Sequence, residues 1–307
     1  LSGEEIYQEA RRWVGALMQV ITYNEFLPAL LGSDPLPPWS GYIREVSPAI
    51  RNEFSTAIYR FGHSALSPTL LRLDASLTPI PEGNLALRDA FFRPDRIVNE
   101  VGIEPLLRGL ASQACSAIDT ELVDDVRNFV FGPPGAGGFD VASLNIQRGR
   151  DHGLPSYNAM RDAMFLDPKT SFAEVSSDPD VQARLASVYA DVEDIDLWVG
   201  ALAEDPVGGG HLGELASKVI RTQFQRLRLG DRYWYQMIFS PDEIAELEST
   251  TLVDVIRRNT GIGGEIRDDV FRLDLASSPP EVRLPLSPRE LDGERRRRIE
   301  LGMGTAR

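Results

Sequence analysis

Two segments about eighty residues apart hold the residue types that chemistry needs: Arg60-Phe61-Gly62-His63-Ser64, and the run from Leu144 through Asn145, Arg148, Arg150 and Asp151 to His152. An imidazole can ligate a metal or accept a proton through one nitrogen, while the other nitrogen's partner fixes which tautomer is present. Arg60 and His63 are three residues apart, so on a helix they project into the same space. A guanidinium is a permanent cation whose planar fork pairs with carboxylates. From residue chemistry alone the plainer readings stand beside these. A histidine opposite an apolar stripe is most often a surface residue, and Arg148 has Asp151 within reach for an ion pair. His152, followed by Gly153-Leu154-Pro155, reads as a turn-locking residue. His211, after three glycines, reads as a helix-start residue, and nothing pairs either with a second ligand at zinc spacing.

The elements that must position these residues read as helices. Ser2 and Glu5 form a capping-box signature ahead of Ile6, Ala10, Trp13, Val14, Leu17, Val20 and Ile21, whose spacing predicts one apolar stripe, and Pro28 is expected to limit that helix. Ser47-Pro48 predicts an N-cap and first-turn proline for a helix running to about Leu66. On that wheel Ile50, Phe54, Ala57, Ile58, Phe61 and Ala65 face a core, with Thr56, Arg60 and His63 on the other side. Asp178-Pro179 and Ser240-Pro241 repeat the device. Gly261 is placed to end a helix holding Leu252, Val255 and Ile256. Further helical patterns run through Leu122-Val126-Phe129-Val130 and from Leu212 to Leu227. The glycine- and proline-rich stretch 132–138 is a loop, either an inward turn ahead of Asn145 or a plain surface connection. Strand-like stretches are short and scattered, and no solenoid-length repeat is present.

Composition narrows the class. Apolar residues make up 42% of the 307, enough for a sizeable core, and one domain plus a tail is the simplest organisation. No run approaches the roughly 18 consecutive apolar residues of a membrane span, so a soluble chain is expected. A net charge of −14 argues against sequence-independent nucleic-acid binding, which requires clustered Lys and Arg. The exception, Arg295 to Arg298, is a solvated stretch of helix or tail, or a docking patch. The single cysteine, Cys115, forbids an internal disulfide, and its place after Leu107, Leu110, Ala111 and Ala114 predicts a buried, inert thiol.

Taken together, the two segments resemble the proximal haem site of the animal-type haem peroxidases, the peroxidase-cyclooxygenase superfamily. Family-like text extends over most of the chain: Tyr7 to Arg12, Gln19 to Pro28, Glu104 to Leu110, Thr222 to Phe224, Gly230 to Trp234 and Asn259 to Ile262. Only about the last thirty residues fall outside it. The resemblance implies an all-α, multi-helix body with few or no strands, and a catalytic domain over 1–275 followed by a Pro-rich, charged tail over 276–307.

It also implies a site. His63 would be the axial ligand to iron of haem b or a derivative, through Nε2, with Arg60 and Arg148 on the propionates. Asn145 would stand behind the ligand, its amide oxygen accepting the Nδ1 hydrogen and so setting the imidazole's orientation and electron donation. Two arginines also have an electrostatic reason to be there, since a dianionic porphyrin meets a protein of net charge −14. Cys115 is not expected to be a haem thiolate ligand, and Arg150, Asp151 and His152 are expected to be structural.

The resemblance further implies a haem-dependent peroxidase that reduces hydrogen peroxide while oxidising a halide, phenolic or other small donor, in a secreted or cell-surface setting. The lack of disulfides points to a bacterial or otherwise simpler member. The family's distal histidine, calcium loop and distal arginine precede the opening helix and have no counterpart here, so the chain reads as the later, proximal portion, in agreement with its start at Leu1. Calcium would then belong to the complete protein, and the distal portion is an expected partner, in the same or another chain. Loss of positioned acid-base chemistry costs about 10² to 10⁴ in rate, so this portion alone is expected to be a weak catalyst. The alternatives are a fatty-acid dioxygenase of the cyclooxygenase branch, whose radical-forming tyrosine would stand where Arg60 stands, and a haem-binding or adhesion module without turnover.

Overall fold

The computed structural model describes residues 2–32, 36–133 and 136–273. The tail and its arginine run lie outside the described residues. Helix Gly3–Ile21 begins with the predicted box: the Glu5 amide donates to Ser2 Oγ at 3.3 Å and the Ser2 amide to the Glu5 carboxylate at 2.6 Å. The apolar stripe, however, is only half used. Ile6 and Val14 are exposed, whereas Ala16 and Val20 are buried with Trp234, Tyr235, Phe239 and Leu247.

Pro28 does not end this helix. A π turn, Thr22–Phe26, intervenes, the Leu27 amide reaching back to the Thr22 carbonyl, and helix Leu27–Leu31 then continues with Pro28 in its first turn. There the missing N–H costs least. Gly32, at φ 76°, stops the run; a Cβ on it would lie 2.4 Å from the backbone of the 208–210 turn. The stretch Gly3–Leu31 is long and apolar enough, by length and composition, to cross a membrane. In the fold its second half packs inward, with Leu27, Leu30 and Leu31 buried in the main core.

The long helix expected from Pro48 is absent. Ser47 caps only a local turn, accepting from the Ala49 amide, and Ile50 is exposed rather than buried. A short helix, Asn52–Thr56, breaks at Ala57 (φ −128°, ψ −71°) and resumes as a 3-10 helix, Ile58–His63. The break lets both sides of the segment be used: Phe54, Ala57, Ile58 and Phe61 enter the core as predicted, and Thr56 is buried as well, against expectation.

The body is all-α, and among the described residues its strands are confined to one two-residue antiparallel pair, Thr69–Leu70 with Leu85–Ala86. Helix Glu214–Gly230 runs through the main core with Leu215, Ile220 and Phe224 buried. Helices Tyr157–Ala163 and Leu197–Ala203 pack so closely that a Cβ on Gly200 would sit 2.4 Å from the Tyr157 ring. They are cross-braced by a buried ion pair between Arg161 and Glu204. Tyr157 Oη donates to the same carboxylate at 2.7 Å, the Leu215 amide donates to its other oxygen at 2.7 Å, and Arg161 also reaches Glu214. The capping devices at Asp178-Pro179 and Ser240-Pro241 are present as predicted. Cys115 lies past the end of helix Glu104–Ser112 as an exposed residue, because the helix stops before reaching it; its thiol is nonetheless desolvated enough to push its pKa up.

Candidate functional site

Asp140 caps helix Val141–Asp151, its carboxylate accepting from the Ala142 and Ser143 amides, and that cap sets the phase of the helix. Val141, Leu144, Asn145, Arg148 and His152 then fall on one face, and all of them line a cavity of about 510 Å³. The facing wall is the 3-10 helix. Residues three apart eclipse one another in that geometry, so Arg60 and His63 open onto the same cavity. Phe91, Val126, Val130, Phe131 and Leu66 complete an otherwise apolar lining.

At the junction of the two helices Asn145, 1% exposed, joins His63 to Arg60. Its Nδ2 lies 2.8 Å from His63 Nδ1, and its Oδ1 accepts from Arg60 Nη1 at 2.7 Å. A guanidinium only donates, so the amide atom that faces it is the oxygen, and the amide's N–H turns to His63. Nδ1 is therefore the acceptor in this arrangement and the ring proton sits on Nε2. The contact expected between Asn145 and His63 is present, but its polarity is the reverse of the expected one. Arg60, an obligate donor, has claimed the oxygen.

The imidazole is held neutral. Burial lowers the His63 pKa, and the charge of Arg60 lowers it further; only a neutral ring can ligate a metal. Arg60 has its own pKa lowered by burial and by the neighbouring charge of Arg148. Arg60 spends Nε on the Ser55 carbonyl at 3.2 Å, and among the described residues neither arginine has an acidic partner. The ion pair read for Arg148 with Asp151 does not form, since Asp151 accepts from Gln147 instead. Arg150, by contrast, is structural, paired in a two-point contact with Asp196.

His152 caps its helix as a turn residue, its carbonyl accepting from Asn52 Nδ2, but its ring also lines the cavity. Its Nδ1 lies 3.0 Å from Asn52 Oδ1 and 3.4 Å from Thr56 Oγ1. The 141, 144, 148, 152 spacing was available in the sequence as a signal for this face. No such signal marked Phe91, Val126, Val130 or Phe131, which arrive from separate segments. His211 precedes its helix and ties the 208–211 turn to the Leu30 carbonyl. Among the described residues no group of three or more His, Cys, Asp or Glu gathers to hold a bare metal ion.

An apolar cavity with a neutral imidazole and two arginines lacking acidic partners fits a flat, apolar, dianionic metal complex. One neutral imidazole, apolar walls and two guanidiniums could hold such a group. The family model for animal haem peroxidases matches residues 1–271. Peroxinectin A of Dictyostelium discoideum is 40% identical over 272 residues, covering 88% of this chain and 50% of the relative. Eosinophil peroxidase of Mus musculus is 38% identical over 286 residues, covering 89% and 40%. The solved structure of peroxidase A from Dictyostelium discoideum superposes with a TM-score of 0.83 at 39% identity, covering 89% of this chain and 52% of that one. The fatty acid alpha-dioxygenase of Oryza sativa shares the fold, with a TM-score of 0.73 at 21% identity over 90% and 54%. The chain thus spans about half the length, or less, of these relatives.

Proposed function

This chain belongs to the animal haem peroxidase family, and from that premise we propose that it forms the proximal side of a haem site in an enzyme that reduces hydrogen peroxide at the expense of a halide, phenolic or other small donor. The observation that carries the reading is the cavity's charge pattern. Two arginines, without acidic partners among the described residues, flank a neutral imidazole in a protein of net charge −14, and the charge of Arg148 acts on Arg60. Arg148 is exposed and Arg60 half-buried, so water tempers their repulsion, and an anion entering the cavity mouth would be drawn to both.

His63 would hold the iron, Arg60 and Arg148 the propionates, and Asn145 would orient the imidazole. Bound haem supplies the redox chemistry with peroxide. The protein residues keep the ring neutral, keep its face apolar and bring cations to the anionic edge. A His63 ring that holds iron through Nε2 would carry its proton on Nδ1, so Asn145 would present its oxygen there and Arg60 would need another acceptor. A propionate is such an acceptor. The acid-base groups of the distal side would come from sequence outside this chain, and calcium and the reducing donor belong to that same proposal, as does a secreted or cell-surface setting.

Two features favour peroxidase over dioxygenase. Arg60 occupies the position where the dioxygenase branch would carry its tyrosine, and Tyr59 is not among the residues lining the cavity. Its ring stacks instead on Phe54, with centroids 4.5 Å apart. The test is reconstitution with haemin. His63→Ala is expected to lose the high-spin five-coordinate spectrum of the parent and to regain it when imidazole is added; an unchanged spectrum removes His63 from the site.

A further inference from the structure

A row of aromatic rings runs from the helix that carries His63 to the far side of the core. Tyr59 stands four residues before His63 on helix Ile58–His63, about 8 Å along an axis that rises ~2 Å per residue. Its ring centroid lies 5.9 Å from that of Phe224, and Phe224 lies 5.8 Å from Tyr23. Tyr23 is 4.9 Å from Trp234, and Trp234 is 4.8 Å from Tyr235. Rings at such spacings stabilise a core by packing alone. In this row, however, every ring but Phe224 is a Tyr or Trp, the side chains that give up an electron most readily, and its far end differs from the rest in proton chemistry.

A phenol that loses an electron becomes a strong acid, so the oxidation comes to rest where the hydroxyl has a base to receive its proton. Tyr23 Oη donates to the Phe224 carbonyl at 2.6 Å and Trp234 Nε1 to Gln236 Oε1 at 2.9 Å, and neither amide oxygen is a base. Arg228, a cation 5.2 Å from the Tyr23 ring centroid, makes a positive charge on that ring less favourable still. Tyr59 Oη has no protein acceptor among the described residues. Tyr235 Oη, by contrast, donates to a Glu248 carboxylate oxygen at 2.7 Å. The Tyr235 ring is buried, whereas Glu248 is exposed and can pass a proton on to solvent. Two other phenols donate to carboxylates, Tyr157 to Glu204 and Tyr189 to Asp196. Each of those carboxylates is held by an arginine, Arg161 or Arg150, and neither phenol belongs to the row.

We propose that Tyr235 is a second oxidation site of this protein, remote from the His63 cavity, oxidised across the ring row when hydrogen peroxide is reduced at the haem, with Glu248 as its base. The inference rests on the haem reading. Peroxide takes up two electrons, and two protons from solvent, in becoming two waters. One electron comes from the haem and the other from Tyr235, whose O–H bond breaks, giving its proton to Glu248 and leaving a neutral phenoxyl radical. Phe224, too hard to oxidise to hold the charge, only bridges Tyr59 and Tyr23.

The haem-loaded full-length protein, prepared with ordinary or ring-deuterated tyrosine, is mixed with hydrogen peroxide without a donor, frozen at successive times and read by electron paramagnetic resonance, with the Soret band recorded in parallel. The expected signal is an organic radical whose hyperfine structure collapses on tyrosine deuteration. It is expected to be absent from Tyr235→Phe and from Trp234→Phe, which keep a ring at each place, and to be unchanged in Tyr189→Phe. Glu248→Gln, which removes the base, should slow its formation by about 10²-fold. A peroxide-driven Soret change without a tyrosine radical, or with one that Tyr235→Phe, Trp234→Phe or Glu248→Gln leaves unaltered, overturns the proposal and leaves the haem reading standing. Failure to bind haemin, or a Soret band that peroxide does not move, overturns both.

Discussion

Replacing Asn145 by Asp should reverse the sign with which His63 couples stability to pH. In the parent, burial and the Arg60 charge hold the folded imidazole below its ordinary pKa, near 6.5. Between that value and the lower folded one, the unfolded chain binds the extra proton. The contribution of His63 is therefore fully present above about pH 6.5 and lost as the pH falls through the folded value, with a limiting slope of about 1.4 kcal/mol per pH unit per proton. Asn145→Asp sets a carboxylate where the amide now lies, 2.8 Å from His63 Nδ1 and 2.7 Å from Arg60 Nη1. At an effective dielectric constant of about 20, unit charges ~3 Å apart attract by roughly 6 kcal/mol. Solvent at the partly exposed ring and competition from Arg60 reduce this severalfold, yet about a quarter of it still matches a full pH unit of proton affinity. A gain larger than the depression set by burial and Arg60 lifts the folded pKa above the unfolded one, and the contribution then becomes full below about pH 6.5 and is lost as the pH climbs through the raised value. The assay is urea denaturation of the haem-free chain at several values from about pH 5 to 8, with the slope of His63→Ala subtracted as background. Asn145→Ala is the control: it removes two hydrogen bonds, one of them charge-assisted, for a loss of about 2–4 kcal/mol without any reversal. A parent-like sign of slope in Asn145→Asp would refute the argument.

Arg148→Gln should lower haemin affinity about tenfold, the worth of one charge-assisted contact; titration with haemin checks this, and an unchanged affinity counts against a propionate role. Arg161→Met should cost about 3–5 kcal/mol by stranding buried Glu204, whose pKa burial already raises. Denaturant midpoints measure that cost, and adding Glu204→Gln should recover part of it. Gly200→Ala should cost about 1–3 kcal/mol, because the added methyl meets the Tyr157 ring at 2.4 Å; a midpoint unchanged in urea would mean that the two helices separate freely.

Local chemistry was readable from the residues themselves. Ser2 with Glu5, Asp178 with Pro179 and Ser240 with Glu243 cap helices through contacts spanning three residues or fewer, so sequence spacing alone specifies them. The Arg60-to-His63 and Asn145-to-Arg148 spacings are local in the same way, and the family resemblance singled them out as a site. Tertiary packing decided the rest. The polarity of the Asn145 amide depends on a guanidinium that comes 85 residues earlier in the chain. The break at Ala57, the continuation of the helix through Pro28 after a π turn and the use of only half of the first apolar stripe depend on what each surface meets. So does the wall built by Phe91, Val126, Val130 and Phe131, drawn from separate segments. Caps and faces are properties of residues a turn apart, whereas a cavity and the direction of a hydrogen bond inside it are set by distant partners that only the folded chain brings within reach.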